Sequence, residues 1–195
     1  MNILFLDVES TGIDVSKNEV VEIACEFWQA ETLVSKFNTL LELSGSNSVE
    51  VNLGALKVNS YLTRVESELL VSRPDAAASF VRYLVDLPKD KQNPIYVGGH
   101  NAAFDVVALK KFLADHNYSG WNEIFAINII DTATIGNILR EAGLINFDRM
   151  SLANLAKALN IEVNTKKTHG AKYDTELTAR CYFEMLKLLR SNKKD

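Results

Sequence analysis

Cysteine, proline and long hydrophobic runs are all scarce in this sequence. Its 195 residues include two cysteines and three prolines, and no apolar run approaches the roughly 20 residues that a membrane-spanning helix needs. Cys25 and Cys181 show no CxxC spacing, so we expect buried, reduced thiols rather than a disulfide scaffold or a zinc site. The N-terminus lacks the basic segment and cleavage site of a secretion signal. We therefore expect a cytoplasmic protein with no membrane partner.

An excess of basic residues is absent as well. Lysine and arginine total 21 against 25 aspartates and glutamates, which gives a formal net charge of −4. A protein that coats long stretches of nucleic acid needs a basic face to displace counterions. The composition therefore argues against a coating protein, but it is compatible with an enzyme that grips only the end of a strand.

Neither a linker nor a low-complexity tract interrupts the chain. Its mass of 21.7 kDa is that of one ordinary domain, which can bury about 70% of the surface of its unfolded chain. We expect a single domain over residues 1–190 and a short disordered tail over residues 191–195.

The first dozen residues hold the most informative pattern. An apolar run that starts at Ile3 carries two carboxylates, Asp7 and Glu9, and then breaks into a Ser-Thr-Gly turn. Because side chains alternate along a strand, Asp7 and Glu9 point to the same face, where they repel each other and lose hydration. Mg2+ or Mn2+ would offset that cost, and two such ions about 4 Å apart form a clamp used for phosphodiester hydrolysis. The alternative is a strand that ends in a solvated acidic turn.

Hydrophobic periodicity predicts the order of the secondary structure. Residues 19–28 alternate as a half-buried strand, and residues 32–43 follow as its hairpin partner, so the first three strands form an antiparallel meander. Residues 95–98 predict a short strand, and the apolar run 124–130 predicts a strand covered on both faces. Short helical pieces are expected between residues 53 and 70, and longer helices over 74–87, 103–116, 132–142, 151–159 and 173–190. This order predicts an α/β fold with a mixed five-stranded sheet, three antiparallel strands plus two further strands, and helices on both faces.

A further acidic residue lies at a predicted strand-to-helix junction. Residues 98–105 read Gly-Gly-His-Asn-Ala-Ala-Phe-Asp, so Asp105 falls in the first turn of the helix. Active residues of mixed sheets gather where strands end and helices begin. The alternative is that Asp105 only complements the helix dipole. For Asp131, at the cap of the next predicted helix, we expect a structural role.

The last acidic residue follows a histidine near the C-terminus. On one continuous helix, His169 and Asp174 would point about 140° apart, too far to serve one site. Gly170 allows His169 to lie in a loop while Asp174 opens the last helix. A loop histidine is suited to taking a proton from water. The alternative is a surface histidine in a lysine-rich loop, which contains Lys166, Lys167 and Lys172.

Taken in order, these three patterns resemble the DEDDh family of 3′-to-5′ exonucleases, which have a ribonuclease H-like fold. The resemblance runs over nearly the whole chain and fills all five diagnostic positions. It implies that Asp7, Glu9, Asp105 and Asp174 hold two divalent cations, Mg2+ or Mn2+. It also implies that His169 activates water for attack on the terminal phosphodiester, so that a nucleoside 5′-monophosphate is released.

The resemblance also implies where the terminal nucleotide lies. The contacts fall on the turn after the first strand, on a segment near residue 58 and on the junction before Asp105. The implied residues are Ser10, Thr11, Gly12, Ile13, Val58, Asn59, Asn101 and Phe104. For Val58 and Phe104 the alternative is ordinary core packing, and Asn101 can equally serve as a helix cap.

Two branches of the family share details with this chain. His169-Gly-Ala-x-x-Asp174 after Lys166-Lys167 resembles the proofreading subunit of bacterial replicative polymerase, and Tyr173-Asp-Thr-Glu resembles ribonuclease T. We therefore expect an exonuclease for single-stranded or frayed DNA 3′ ends, with a role in replication or repair. The alternative is trimming of RNA or digestion of short oligonucleotides, and the remote alternative is an inactive nucleic-acid-binding module. The sequence ends soon after its last predicted helix and supports neither a polymerase partner nor a homodimer.

Overall fold

A computed structural model describes residues 1–88, 93–165 and 168–192, and a single mixed sheet lies at its centre. The strands are β1 (Asn2–Ser10), β2 (Val20–Gln29), β3 (Thr32–Leu41), β4 (Leu70–Val71), β5 (Ile95–Gly99) and β6 (Phe125–Asp131). Their order across the sheet is β4-β3-β2-β1-β5-β6. β1, β2 and β3 pair antiparallel, whereas β5 and β6 add in parallel beside β1. The predicted mixed α/β fold is confirmed. The sheet has six strands rather than five because the two-residue β4 pairs with β3.

Eight helices connect the strands of the described residues. They are α1 (Leu53–Val58), α2 (Tyr61–Arg64), α3 (Arg73–Asp86), α4 (Ala103–Asp115), α5 (Trp121–Ile124), α6 (Thr132–Glu141), α7 (Leu152–Ala158) and α8 (Ala171–Ser191). Side-chain caps begin several of them: Ser72 accepts from the N–H of Asp75 at α3, and Ser151 accepts from the N–H of Asn154 at α7. The five longer helices that the sequence predicts are confirmed to within two residues at each end.

The two faces of β1 pack against different helices. Leu4, Leu6 and Val8 belong to a core that includes residues of α3 and α4. Ile3 and Phe5, on the opposite face, pack against α8 residues such as Tyr182. Because Asp7 and Glu9 follow Ile3 and Phe5 in the alternation, both carboxylates face α8. The helices therefore cover both faces of the sheet, as the sequence predicts.

A second apolar cluster holds α6 and α7 against α8. Its buried members are Leu139, Phe147, Leu155, Ala156, Ile161, Leu177, Cys181 and Met185. This cluster supports the far side of the long C-terminal helix. Packing on the sheet and on these two helices sets the direction of α8.

The predicted burial of two strands is wrong. β2 is buried on both faces from Val20 to Phe27 rather than half buried, because α8 covers the face that carries Glu22 and Glu26. β6, predicted to be covered on both faces, lies at the edge of the sheet. Its pairing with β5 shifts register between Ile95 and Val97, and Ile127 opposite this irregularity is 95% exposed.

Other predictions from composition have mixed outcomes. Cys25 and Cys181 are confirmed as free and buried thiols. Within the described ranges, no helix is both long and apolar enough to cross a bilayer. α8 extends to Ser191, the first residue of the predicted tail. Residues 193–195, and the pair Lys166 and Lys167, lie outside the described residues.

Candidate active site

Three of the predicted metal ligands meet where β1 ends and α4 begins. Asp7 and Glu9 are partly buried near the C-terminal end of β1, and Asp105 is buried in the first turn of α4. The backbone N–H of Val8, the residue between the two β1 carboxylates, donates to Oδ1 of Asp105 at 3.0 Å. Asp105 is therefore held directly against the Asp7–Glu9 segment.

The fourth acid, Asp174, comes from the C-terminal part of the chain. It lies in the first turn of α8, and His169 lies in the turn that precedes the helix. The N–H of His169 donates to Oδ2 of Asp174 at 3.1 Å, and the backbone of His169 is left-handed, with φ of 65°. His169 is exposed. The predicted arrangement, a loop histidine beside an aspartate that opens the last helix, is what the structure shows.

All four carboxyl groups have a raised pKa. Burial is the largest cause for each, and it raises the pKa of Glu9 to about 8 and that of Asp105 to about 7. The pKa of Asp7 lies well above its usual range, because burial is reinforced by the charges of Asp105, Glu9 and Asp174. Burial also raises the pKa of Asp174, against a hydrogen bond from His169 that lowers it. These groups therefore lie close enough to disfavour each other's ionisation.

The donor set suits hard divalent cations. Neighbouring carboxyl groups that are shielded from water favour the protonated form unless a cation neutralises them. Four carboxylates offer the oxygen ligands that Mg2+ and Mn2+ prefer. Within residues 1–88, 93–165 and 168–192, no three His, Cys, Asp or Glu side chains are set closely enough to form a metal cage by themselves. The chemistry of the donors thus fits such ions, and the number of ions stays a prediction.

The chain is similar in sequence to two kinds of known protein. No family model matches the chain. Ribonuclease T of Haemophilus influenzae is 28% identical over 197 residues, which cover 96% of this chain and 80% of that protein. The PolC-type DNA polymerase III of Bacillus subtilis is 27% identical over 188 residues, which cover 93% of this chain but 11% of the polymerase. The resemblance to the DEDDh exonucleases is confirmed.

Solved structures share the fold of this chain. Escherichia coli exonuclease I in complex with a dT13 oligonucleotide superimposes with a TM-score of 0.72 and 16% identity, covering 95% of this chain and 41% of that one. The zinc-bound complex of the same exonuclease with single-stranded DNA gives a TM-score of 0.74 at 17% identity. At these identities the likeness is one of fold, and it confirms the predicted ribonuclease H-like class.

The residues that the DEDDh resemblance assigns to the nucleotide divide into exposed and buried groups. Ile13 is 91% exposed and Val58 is 57% exposed, so neither is a core residue. Phe104 is partly buried at the edge of the main core, and Asn101 is exposed with a left-handed φ of 60°. These four side chains can reach a nucleotide, and their contact with one stays a prediction.

The buried residues of this predicted set, Thr11 and Asn59, have internal partners instead. Thr11 is fully buried, and its hydroxyl donates to the carbonyl of Glu50 at 2.9 Å. Asn59 is 3% exposed, and its amide donates to the Ser10 carbonyl at 3.2 Å. A hydrogen bond from Asn59 also lowers the pKa of Glu9, against the larger effect of burial. Both side chains therefore shape the turn and the strand end in this structure.

Gly12 is needed for close packing within the same turn. A Cβ at this position would lie 2.5 Å from Oδ1 of Asn18. The Asn18 amide in turn donates to the carbonyl of Glu50 at 2.7 Å. The turn that follows β1 is thus tied to the segment that leads into α1, and this tie presents Ile13 to solvent.

Two grooves flank the carboxylates. One, of about 510 Å3, is lined by residues that include Ser10, Gly12 and Phe104. The other, of about 610 Å3, is lined by residues that include Asn59, Arg64, His169 and Lys172. Both grooves are mixed in character: the first also contains Lys17 and Glu19, and the second also contains Glu22 and Glu68.

Sequence reasoning missed one acidic residue of the candidate site and placed a neighbouring one correctly. Glu22 is fully buried on β2, directly opposite Glu9, but its pattern in the sequence only predicts the exposed face of a strand. Asp131 accepts hydrogen bonds from the N–H groups of Asn101 and Ala133. It caps α6, as expected for a structural residue.

Proposed function

We propose that this protein is a metal-dependent 3′-to-5′ exonuclease that releases nucleoside 5′-monophosphates from single-stranded or frayed DNA 3′ ends. The observation that carries the proposal is the group formed by Asp7, Glu9, Asp105 and Asp174. These four acids come from three elements, and all have a raised pKa. Four neighbouring acids shielded from water are costly to ionise unless a cation neutralises them. The relatives with 27–28% identity over nearly the whole chain are ribonuclease T and a PolC-type DNA polymerase III.

The four carboxylates would hold Mg2+ or Mn2+, two ions in our proposal. When bound, such ions stabilise the charge that grows on the phosphate and on the departing oxygen. The chain itself supplies the base. His169 is exposed beside Asp174, and its imidazole nitrogen can accept the proton of the attacking water.

The 3′-terminal nucleotide would lie over the end of β1. The exposed side chains of Ile13 and Val58 offer apolar surface to a base, and Phe104 borders the adjoining groove. Apolar contacts of this kind read no hydrogen-bonding groups of the base and give little sequence preference. We therefore expect the enzyme to accept all four nucleotides.

Positive charge for the strand would come from Lys172, which lines the second groove. Arg64 lines the same groove but is already paired with Glu22 and Glu68, so it is not counted as a contact to the strand. Phosphate contacts supply affinity but not sequence information. Few such contacts suit an enzyme with a net charge of −4 that engages only a strand end.

A second candidate substrate is RNA. The match to ribonuclease T covers 80% of that protein, whereas the matches to polymerase and to exonuclease I cover 11% and 41% of those chains. The choice depends on contacts to the ribose 2′-hydroxyl. The solved neighbour that holds a DNA oligonucleotide favours DNA as the first proposal. A polymerase partner and a homodimer stay predictions without support.

One digestion experiment tests the activity and the substrate together. Single-stranded DNA, duplex DNA, RNA and dinucleotides carrying a 5′ label are incubated side by side with Mg2+ at one salt concentration. We expect a ladder that shortens from the 3′ end, fastest for single-stranded DNA, and its loss in Asp105→Asn. Asp86→Asn, which changes an exposed acid at the end of α3, is the matched control. Internal cleavage products, or full activity in Asp105→Asn, would refute the proposal.

A further inference from the structure

Glu22 is a buried acid that the proposed chemistry does not use. It is 0% exposed, and both of its oxygens accept from Arg64, at 2.6 Å from Nη1 and 2.8 Å from Nη2. A third donor is the backbone N–H of Ala171, which lies 3.0 Å from Oε2. A buried carboxylate is tolerated only when it is paired and hydrogen-bonded in this way.

The hydrogen bonds that Glu22 accepts join three segments of the fold. Glu22 belongs to β2, Arg64 is the last residue of α2, and Ala171 is the first residue of α8. The Ala171 N–H is one of the amides at a helix N-terminus that have no partner within the helix. Glu22 therefore binds the beginning of α8 to the sheet.

A second bond attaches the same turn of α8 to the same strand. The hydroxyl of Thr175 donates to the carbonyl of Ala24 at 3.3 Å. In the register of the sheet, Glu22 lies opposite Glu9 and Ala24 lies opposite Asp7. The two attachment points of α8 thus lie directly across from the two carboxylates of β1.

Asp174 is located between these attachment points. It follows Ala171 by three residues and precedes Thr175 by one. Its position relative to Asp7 and Glu9 therefore depends on the two bonds to β2. The charge of Glu22 is unfavourable here, because it adds to the negative charge beside Glu9, and a neutral residue would avoid that cost. A carboxylate has one advantage over a neutral side chain, since its two oxygens can serve Arg64 and Ala171 at once.

We propose that Glu22 is a positioning residue, which fixes Asp174 opposite Asp7 and Glu9 by anchoring the N-terminus of α8 to β2 and α2. The inference rests on the proposed exonuclease function for its effect on catalysis, but the anchoring can be measured without any activity. Positioning groups behind metal ligands typically change metal affinity or activity 10- to 100-fold when they are replaced.

The test compares Glu22→Gln with Glu26→Gln. Glu26 is the matched control because it is 3% exposed, lies on the same face of β2 and pairs with Lys36 at 2.6 Å, but lies opposite Phe5 rather than the carboxylates. A double variant, Glu22→Met with Arg64→Met, removes both charges of the buried pair, an exchange that often leaves stability unchanged. It provides a folded protein without the anchor if Glu22→Gln unfolds.

Three quantities are measured on each full-length variant: amide hydrogen exchange over residues 168–176, Mn2+ affinity by calorimetry without nucleic acid, and kcat and KM on a 3′-labelled oligonucleotide. In both Glu22 variants we expect faster exchange over that segment, Mn2+ binding weakened about 10- to 100-fold and kcat lowered by a similar factor, with KM within about twofold. Glu26→Gln should leave all three unchanged.

Each outcome supports or overturns the inference. If exchange over residues 168–176 and Mn2+ affinity in the Glu22 variants equal those of Glu26→Gln, Glu22 is only a structural residue and the inference is wrong. If exchange rises selectively in the Glu22 variants but the wild-type protein cleaves no nucleic acid, the anchor is supported and the proposed function fails. The two failures are therefore distinguishable.

Discussion

The raised carboxyl pKa values make a prediction about stability that needs no substrate. The carboxyl group of Glu9 has its pKa raised from 4.5 to about 8 by burial and then by the charges of Glu22, Asp174 and Asp105. An acid whose pKa is higher in the folded state binds more protons when folded than when unfolded. The free energy of unfolding therefore falls as pH rises between these two values. We expect the metal-free protein to become less stable on the alkaline side of neutrality.

The window and the magnitude follow from the same values. Burial lowers the pKa of His100 below its usual 6.5. Below pH 6.5 this histidine makes the free energy of unfolding rise with pH, which opposes the effect of Glu9. The measurement therefore starts at pH 6.5. From pH 6.5 to about 8, the ionisation of Glu9 lowers the free energy of unfolding by on the order of 2 kcal/mol. For a domain of this size that is a decrease in Tm of roughly 4–8 °C.

The assay is thermal unfolding followed by circular dichroism, in EDTA and in excess Mg2+, at constant ionic strength. In EDTA the Tm should fall as pH rises from 6.5 to about 8, and in Glu9→Gln the Tm should depend less on pH. Because Mg2+ binds the ionised carboxylates, its stabilising effect should be larger at the upper end of the window than at the lower end. A metal-free Tm that stays constant or rises with pH would refute the reasoning.

Three further predictions concern single residues. A Cβ at Gly98 would lie 2.7 Å from a ring carbon of Phe5, so Gly98→Ala should lower the free energy of unfolding in urea by about 1–3 kcal/mol; an unchanged value would show that the ring moves freely. Ile13→Ala should raise KM for single-stranded DNA about tenfold at unchanged Tm, because an exposed apolar contact worth about 1–2 kcal/mol is lost, whereas Ile127→Ala, at the distant edge strand, should leave KM unchanged. His169→Asn should lower kcat by about 10²- to 10⁴-fold with little change in Tm, as measured by steady-state digestion, and an unchanged kcat would exclude the histidine as the base.

Local patterns predicted where each acid lies, and the resemblance to the DEDDh exonucleases predicted that the four acids act together. The alternation of β1 places Asp7 and Glu9 on one face, and the start of a helix after a strand places Asp105 at the same end of the sheet. Gly170 correctly indicates a break between His169 and Asp174. These features depend on neighbours within a few residues along the chain, so the sequence displays them directly.

Features that depend on distant partners could not be predicted in this way. Alternation assigns Glu22 to a face of β2 but does not show that Arg64, 42 residues later in the sequence, neutralises it there. The apolar composition of β6 resembles an interior strand, whereas its edge position follows from the order of strands. Thr11 and Asn59 match a family pattern for substrate contact, and only the structure reveals that their polar groups already have internal partners.

The most direct test of the central claim is a crystal structure of the wild-type protein soaked in Mn2+, with the ions located by anomalous scattering. The account predicts two anomalous peaks about 4 Å apart, within coordination distance of Asp7, Glu9, Asp105 and Asp174. Mn2+ bound elsewhere, or no peak at Asp7 under conditions in which the protein degrades DNA, would contradict it.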